Sequence, residues 1–506
     1  MSDDDAPVPP DTPAALPPPR MPPGAGDPRE LLRRLPQVGS VAEALTPAHL
    51  AFAPREEWAE ELRQAVAELR ARVLAGDVGP VALGSATSAE RLLAAARKRI
   101  ERRRDPGCVR VVNATGVVLH TNLGRAALPP AAMEALAEHG RGYQLLAADR
   151  ATGERAPRER HVERLLQRLV GCEAATVVNN NAAATLLMLA SLAAGREVIV
   201  SRGQLVEIGG AYRIPEVMVQ GGARLVEVGT TNRTHLKDYE NAITPRTALI
   251  LRVHTSNYRV EGFAGEVPLA GLVQLGRAYG VKVVDDLGSG ALLSLAGRGL
   301  PGDEPLVAQS LAAGADLITA SGDKLVGGPQ AGLLLGTREC VAMARAHPLY
   351  RAMRADKLRL VALEATLRLF LHPDTLPSTH PTTGMLVAGT EALAAAAQRL
   401  AARLGALGAV RAGAASVRVQ PAADAVGAGS LPTVELPGWA VALVAREVEA
   451  GELARRLRAA PVPVFSTVAD GAVHLHVRTL LPGDEEDVAR AVEAALAPAR
   501  PGSAPA

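Results

Sequence analysis

Between residue 109 and about residue 345, short apolar runs alternate with longer stretches in which apolar side chains recur every three or four positions. Residues 109–112, 175–178, 197–200, 224–228, 248–253, 281–284, 317–319 and 332–336 read as strands, and helices fill most of the gaps. This alternation predicts a mostly parallel sheet covered by helices on both faces. Upstream, residues 30–85 follow a helical pattern. Leu31, Leu32 and Leu35 start a short amphipathic helix before Pro36, and residues 41–45 and 47–50 give further turns. Residues 55–74 form a longer helix with Trp58, Leu62, Val66, Leu69 and Val73 on one side. A further helix is predicted over 88–104. Downstream, 358–371 predicts an apolar helix leaving the sheet, followed by an α+β region. Its helices fall at 385–407, 450–458 and 485–496, and its strands near 433–436 and 473–477.

These patterns divide the chain into a tail (1–28), a helical module (29–85), a basic linker helix (86–108), a large α/β domain (109–357), a small α+β domain (358–497) and a terminal tail (498–506). The first 28 residues hold ten of the 37 prolines. They lack the basic start and apolar centre of a secretory signal, and predict a polyproline-like, unstructured tail. With 48% hydrophobic but 2% aromatic residues, the core is one of Ala, Leu and Val. A net charge of +2 excludes a polycation as a whole. Positive charge gathers instead at residues 97–104, six cations in eight positions at a helix C-terminus. Such a run either complements the helix dipole or meets nucleic-acid phosphates, and by itself does not decide between them. Cys108, Cys172 and Cys340 match no metal-ligand spacing and fit buried filler in a reducing cytosol, so a cytoplasmic location and no metal are expected. No apolar run reaches about 18 residues, so no membrane span is predicted.

The chemistry concentrates in residues 318–332, an apolar run followed by a Gly-rich loop in which Lys324 is flanked by Ser321, Asp323 and the pair Gly327–Gly328. Desolvation at the mouth of a buried strand lowers a lysine's pKa, and the free amine then forms a Schiff base with a carbonyl. Upstream, the strand at 281–284 ends in Asp285 and Asp286. Pyridoxal phosphate requires a Lys for its aldehyde, a carboxylate for its pyridine nitrogen and donors for its phosphate. Asp285 is assigned the second role, with Asp286 as the alternative, since adjacent strand residues face opposite ways. The donors are expected where a strand at 175–178 runs into Asn179, Asn180 and Asn181 before a helix. Asn181, Ala182 and Ala183 there leave backbone N–H groups open to phosphate, as Ser321 offers a hydroxyl. Strand–Asn–helix, strand–Asp, then strand–Ser-Gly-Asp-Lys resembles the large domain of an aspartate-aminotransferase-like enzyme of fold type I.

Four segments extend the resemblance. They are Val-Asn-Ala-Thr-Gly-Val-Val-Leu-His-Thr-Asn-Leu-Gly-Arg-Ala at 112–126, Asn-Asn-Asn-Ala-Ala-Ala at 179–184, Ser-Arg-Gly-Gln-Leu-Val-Glu-Ile-Gly-Gly at 201–210 and Ser-Gly-Asp-Lys at 321–324. Together they are similar to the bacterial selenocysteine synthases, the L-seryl-tRNA(Sec) selenium transferases, over about residues 32–496. The resemblance implies Lys324 as the Schiff-base lysine, Asp323 as an assisting acid, and Arg125, Arg351 and Arg354 as anion-binding residues for selenophosphate. Arg351 and Arg354, three apart, would share a helix face. It also implies a route through an aminoacrylyl-tRNA, tRNA binding by the N-terminal module, and a homo-oligomer built from dimers, a ring of five. Gln204, where that family carries Glu, and residues 154–158, where it carries a Gly-rich segment, depart from the pattern. His120 and His254 carry no assigned role. The alternative is a pyridoxal-phosphate lyase acting on a small amino acid or amino sugar acid without tRNA. A third reading is a tRNA-binding protein with an inert pocket.

Overall fold

The computed structural model describes residues 27–104, 107–209, 212–300, 304–432 and 434–497. Nearly all of the Pro-rich tail and the terminal tail expected at 498–506 lie outside the described residues. The chain divides into two compact units between Val109 and Arg110.

The N-terminal unit is all helical: Pro28–Arg33, Val38–Ala42, Pro47–Phe52, Arg55–Leu74, Pro80–Ala86 and Ala89–Arg104. The Arg55–Leu74 helix buries Trp58, Leu62, Val66, Leu69 and Val73, the apolar face expected from spacing. Trp58, Leu62, Val66 and Leu69 pack against Leu92, Leu93, Ala96 and Ile100 of Ala89–Arg104. The basic run at 97–104 is largely spent inside this unit. Arg97 pairs with Glu101 at 2.9 Å, Arg103 with Glu61 at 3.0 Å, Arg99 with Glu68 and Arg104 with Glu57. Arg97 and Arg104 also lie over the Phe52 ring, 4.4 and 5.1 Å from its centroid. Most of the run is therefore structural, and among the described residues Lys98 and Arg102 have no ion-pair partner.

The larger unit is organised by a seven-stranded sheet. Its spatial order is Ala174–Val178, Gly332–Gly336, Leu317–Ser321, Lys282–Gly288, Thr247–Val253, Glu197–Ser201, Arg224–Val228. Gly332–Gly336 runs antiparallel to both neighbours and every other pairing is parallel. Strands such as Ala174–Val178 and Leu317–Ser321 are buried along their whole length because helices cover both faces. This is why they read as continuous apolar runs.

The second sheet has five strands, ordered Val112–Ala114, Val464–Ala469, Ala472–His476, Glu435–Ala445, Ala415–Ala425. The strand expected at 109–112 as the first of the α/β region is thus Val112–Ala114, paired in parallel with Val464–Ser466 of the C-terminal sheet. An apolar run announces a strand but not its partner. Ala415–Ala425 escapes the pattern altogether, since its residues are mostly half-exposed and Pro421 interrupts it. It is an edge strand, where a missing N–H is tolerated. The helix expected over 385–407 is two, Pro381–Val387 and Thr390–Gly405, with Gly389 as the extended N-cap of the second.

Candidate active site

The parallel strands deliver their C-terminal ends to one edge of the sheet, where an open α/β fold forms its crevice. A cavity of about 460 Å³ lies there, lined by Lys324, Asp286, Asn181, Ala182, Ser321 and Arg125 among others. Lys324 follows the Leu317–Ser321 strand and is 5% exposed. Burial lowers its pKa, and the Arg125 guanidinium adds to that, against the opposing pull of Asp286, Asp323 and Glu304. The loop after it is locked from behind. His380 accepts the Thr383 N–H through Nδ1 at 3.1 Å and its Nε2 lies 2.9 Å from Val326 O, so the ring is neutral and donates to that carbonyl. Gly327, at φ +65, brings the backbone so close that a Cβ there would lie 2.2 Å from the imidazole.

The carboxylate assigned from sequence is corrected. Asp285 points away from the cavity, where Arg252 Nη1 donates to it at 3.1 Å and Ser310 Oγ at 2.6 Å. Asp286 faces the cavity, held by Asn181 Nδ2 at 2.9 Å, Thr319 Oγ1 at 2.9 Å and Thr185 Oγ1 at 3.3 Å. Burial raises its pKa, opposed by those hydrogen bonds and by Lys324. Alternation along the strand holds as expected, and what it lacks is an origin. Val284 packs in the cluster containing Ala184, Leu187 and Met188 of the Asn181–Leu192 helix, and Asp286 shares its face. Val283 packs in a different cluster, with Leu272 and Val273. Because both faces are apolar, counting residues does not tell which faces the Asn181–Leu192 helix.

Asn180 caps the Asn181–Leu192 helix, accepting the Ala183 N–H on Oδ1 at 2.8 Å. Ala183 is therefore not an open donor and does not line the cavity; Asn181 and Ala182 do. Ser321 lines it as expected. Arg125 reaches in with φ 65 and donates from Nη1 to Asp323 Oδ2 at 2.7 Å. Arg351 and Arg354 do not line the cavity. The helix Pro348–Met353 ends between them, Arg354 being its extended C-cap, so they share no helix face. Arg354 instead forms a backbone bridge with Val178, at the root of the Asn loop.

Tyr212 lines the cavity without having been assigned, and its buried hydroxyl has no hydrogen-bond partner among the described residues. The same holds for Oδ1 of the assigned Asn181 and of Asn179, which does not line the cavity. His254 lines the cavity, whereas His120 does not. The departures from the family pattern also find places. Gln204 is buried, accepts the Val253 N–H at 3.1 Å and lies 3.4 Å from Glu266, a neighbour that a carboxylate in its place would repel. Arg158, closing the segment 154–158, donates to Ala355 O at 3.2 Å, beside Arg354.

The chain is similar to known proteins. The family described as SelA, L-seryl-tRNA selenium transferase, matches residues 111–481. The L-seryl-tRNA(Sec) selenium transferase of Moorella thermoacetica is 52% identical over 386 residues, 76% of this chain and 81% of that relative. The enzyme of the same name from Solidesulfovibrio magneticus is 47% identical over 478 residues, 93% of this chain and 99% of the relative. Among solved structures, a D-glucosaminate-6-phosphate ammonia-lyase superposes with a TM-score of 0.54 at 20% identity, covering 78% of this chain and 98% of that one. That likeness concerns the fold, which is the aspartate-aminotransferase-like, fold type I architecture.

Proposed function

The chain belongs to the SelA family of L-seryl-tRNA selenium transferases, and from that premise we propose that it converts seryl-tRNA(Sec) to selenocysteinyl-tRNA(Sec) using pyridoxal 5′-phosphate. The observation that carries the reading is a buried lysine of lowered pKa sharing one cavity with a buried carboxylate of raised pKa. The residues fit the cofactor. The buried Asp286 carboxyl, of raised pKa, forms no ion pair of 4 Å or less among the described residues, and a protonated pyridine nitrogen would provide one. The partnerless oxygens of Asn181 and Tyr212 are polar groups awaiting a ligand. When bound, pyridoxal phosphate supplies an aldehyde for covalent attachment and a ring that draws off the electron pair left at Cα.

The chain's own residues do the rest. Lys324, whose pKa burial lowers, is the nucleophile toward the aldehyde and the base that takes the Cα proton. Asp286 holds the pyridine nitrogen, and Asn181 fixes that carboxyl. The first-turn N–H groups of Asn181 and Ala182, with the Ser321 hydroxyl, are the phosphate donors. Arg125 is the guanidinium placed to meet selenophosphate, with Asp323 neutralising it until the oxyanion arrives. Arg351 and Arg354 join the donor site only from outside the single-chain cavity. The N-terminal unit is the tRNA reader in this proposal, with Lys98 and Arg102 as its phosphate contacts, and the reaction takes place in the cytoplasm. A dimer-based ring of ten subunits belongs to the same reading. Its support is the family resemblance and the exposure of Tyr143 and Phe263, since aromatic side chains are enriched at interfaces.

The lyase alternative is disfavoured by the identity with full-length transferases, which extends over 93% of the chain. The deciding experiment mixes holoprotein, seryl-tRNA(Sec) and selenophosphate and identifies the amino acid on the tRNA. Selenocysteine is expected; unchanged serine, with turnover of a small amino acid in the absence of tRNA, would establish the lyase.

A further inference from the structure

Beside the cofactor cavity lies a second one of about 470 Å³, and among the described residues only His254 lines both. Its backbone N–H donates to the Asp286 backbone O at 2.9 Å, which holds the two segments side by side. Its Nε2 lies 3.3 Å from Glu304 Oε1. Glu304 is 6% exposed, lines the second cavity and, among the described residues, has no hydrogen-bond donor on that buried oxygen. A buried carboxylate oxygen left so is costly unless a proton is brought to it, and the imidazole is placed to bring one.

We propose that His254, paired with Glu304, is the acid that protonates the β-hydroxyl of the seryl group as it leaves. The proposal rests on the seryl-tRNA reading above. In the elimination the Cα–H bond breaks and its proton goes to Lys324 Nζ. The electron pair forms the Cα–Cβ double bond, and the Cβ–O bond breaks with its electrons on oxygen. Hydroxide leaves poorly, whereas a proton from His254 turns it into water. Lys324 then keeps its own proton for return to Cα once selenium has added at Cβ. The imidazole gives up its Nδ1 proton, keeps the Nε2–H that faces Glu304 Oε1, and regains the Nδ1 proton from solvent. Across the cofactor cavity His254 faces Lys324, Asp286 and the Arg125–Asp323 pair. Across the second it faces Arg252, Arg233, Arg259 and Glu266.

The test uses the holoenzyme and its His254→Gln and Glu304→Gln variants with seryl-tRNA(Sec). Two events are followed in each sample: exchange of the Cα hydrogen with solvent deuterium, and loss of the β-oxygen, read by trapping the dehydrated residue with a thiol. In His254→Gln, Cα exchange should persist while dehydration slows by about 10²- to 10⁴-fold. In Glu304→Gln dehydration should slow as well, again with Cα exchange retained. Equal loss of both events, or loss of neither, overturns the assignment. Absence of Cα exchange in the unaltered enzyme overturns the seryl-tRNA reading, and the proposal with it.

Discussion

Arg125 and Asp323, 198 positions apart in the chain, form an ion pair at 2.7 Å on the wall of the cofactor cavity. The arginine expected to meet an oxyanion and the acid expected to assist Lys324 therefore restrain each other. They also act on Lys324 with opposite sign, Arg125 lowering its pKa and Asp323 raising it.

Asp323→Asn should release Arg125 from its counter-charge. Inorganic phosphate should then compete with selenophosphate about tenfold more strongly, the scale of one charge-assisted hydrogen bond. Arg125→Ala should weaken that competition. Phosphate inhibition that responds to neither substitution would remove Arg125 from the donor site.

The two neighbouring aspartates should separate cleanly. Asp286→Ala should reduce cofactor retention about ten- to 100-fold, the loss expected for one charged hydrogen bond. Asp285→Ala should keep the cofactor but destabilise the fold by about 3–5 kcal/mol, because the mostly buried Arg252 keeps only the exposed Glu266, at 3.9 Å. Absorbance of bound cofactor and thermal unfolding, measured on both proteins, check the two halves.

Borohydride treatment of the holoprotein should fix the cofactor on the peptide carrying Lys324. Lys324→Ala should show no fixed adduct and no turnover while unfolding at an unchanged temperature. An adduct on any other lysine contradicts the assignment.

His380 should make the fold acid-sensitive. Burial lowers its pKa from 6.5 to about 4. The unfolded chain binds a proton that the native pocket refuses, so stability falls as pH drops from about 6.5 and levels off below about 4. The full loss is roughly 3 kcal/mol, at about 1.4 kcal/mol per pH unit. Denaturant unfolding of His380→Gln across that range should lack this slope. An identical slope in both proteins would place the acid sensitivity elsewhere.

Deleting residues 1–104 should leave cofactor attachment intact and weaken seryl-tRNA(Sec) binding. Within the module, Lys98→Glu and Arg102→Glu should lower tRNA affinity and its salt dependence without changing stability. Arg99→Ala should instead destabilise the module, since Arg99 is engaged by Glu61 and Glu68. Equal effects from all three would mean that the whole run, rather than its unpaired members, meets the tRNA.

By itself the sequence determined the order of strands and helices around Lys324, the buried face of Arg55–Leu74, the Asn-capped helix and the lysine itself. Each of these is a local property: a period, a cap, or a small-residue loop after an apolar run. Only the tertiary structure decided that Asp286 rather than Asp285 serves the cavity, because in a sheet buried on both faces alternation has no outside to count from. It also decided that Val112–Ala114 pairs with the C-terminal sheet, that the basic run is mostly engaged with acids of its own module, and that His254 stands between two cavities. Those facts depend on which distant segments meet, and residues so far apart in the chain leave no periodic trace of their contact.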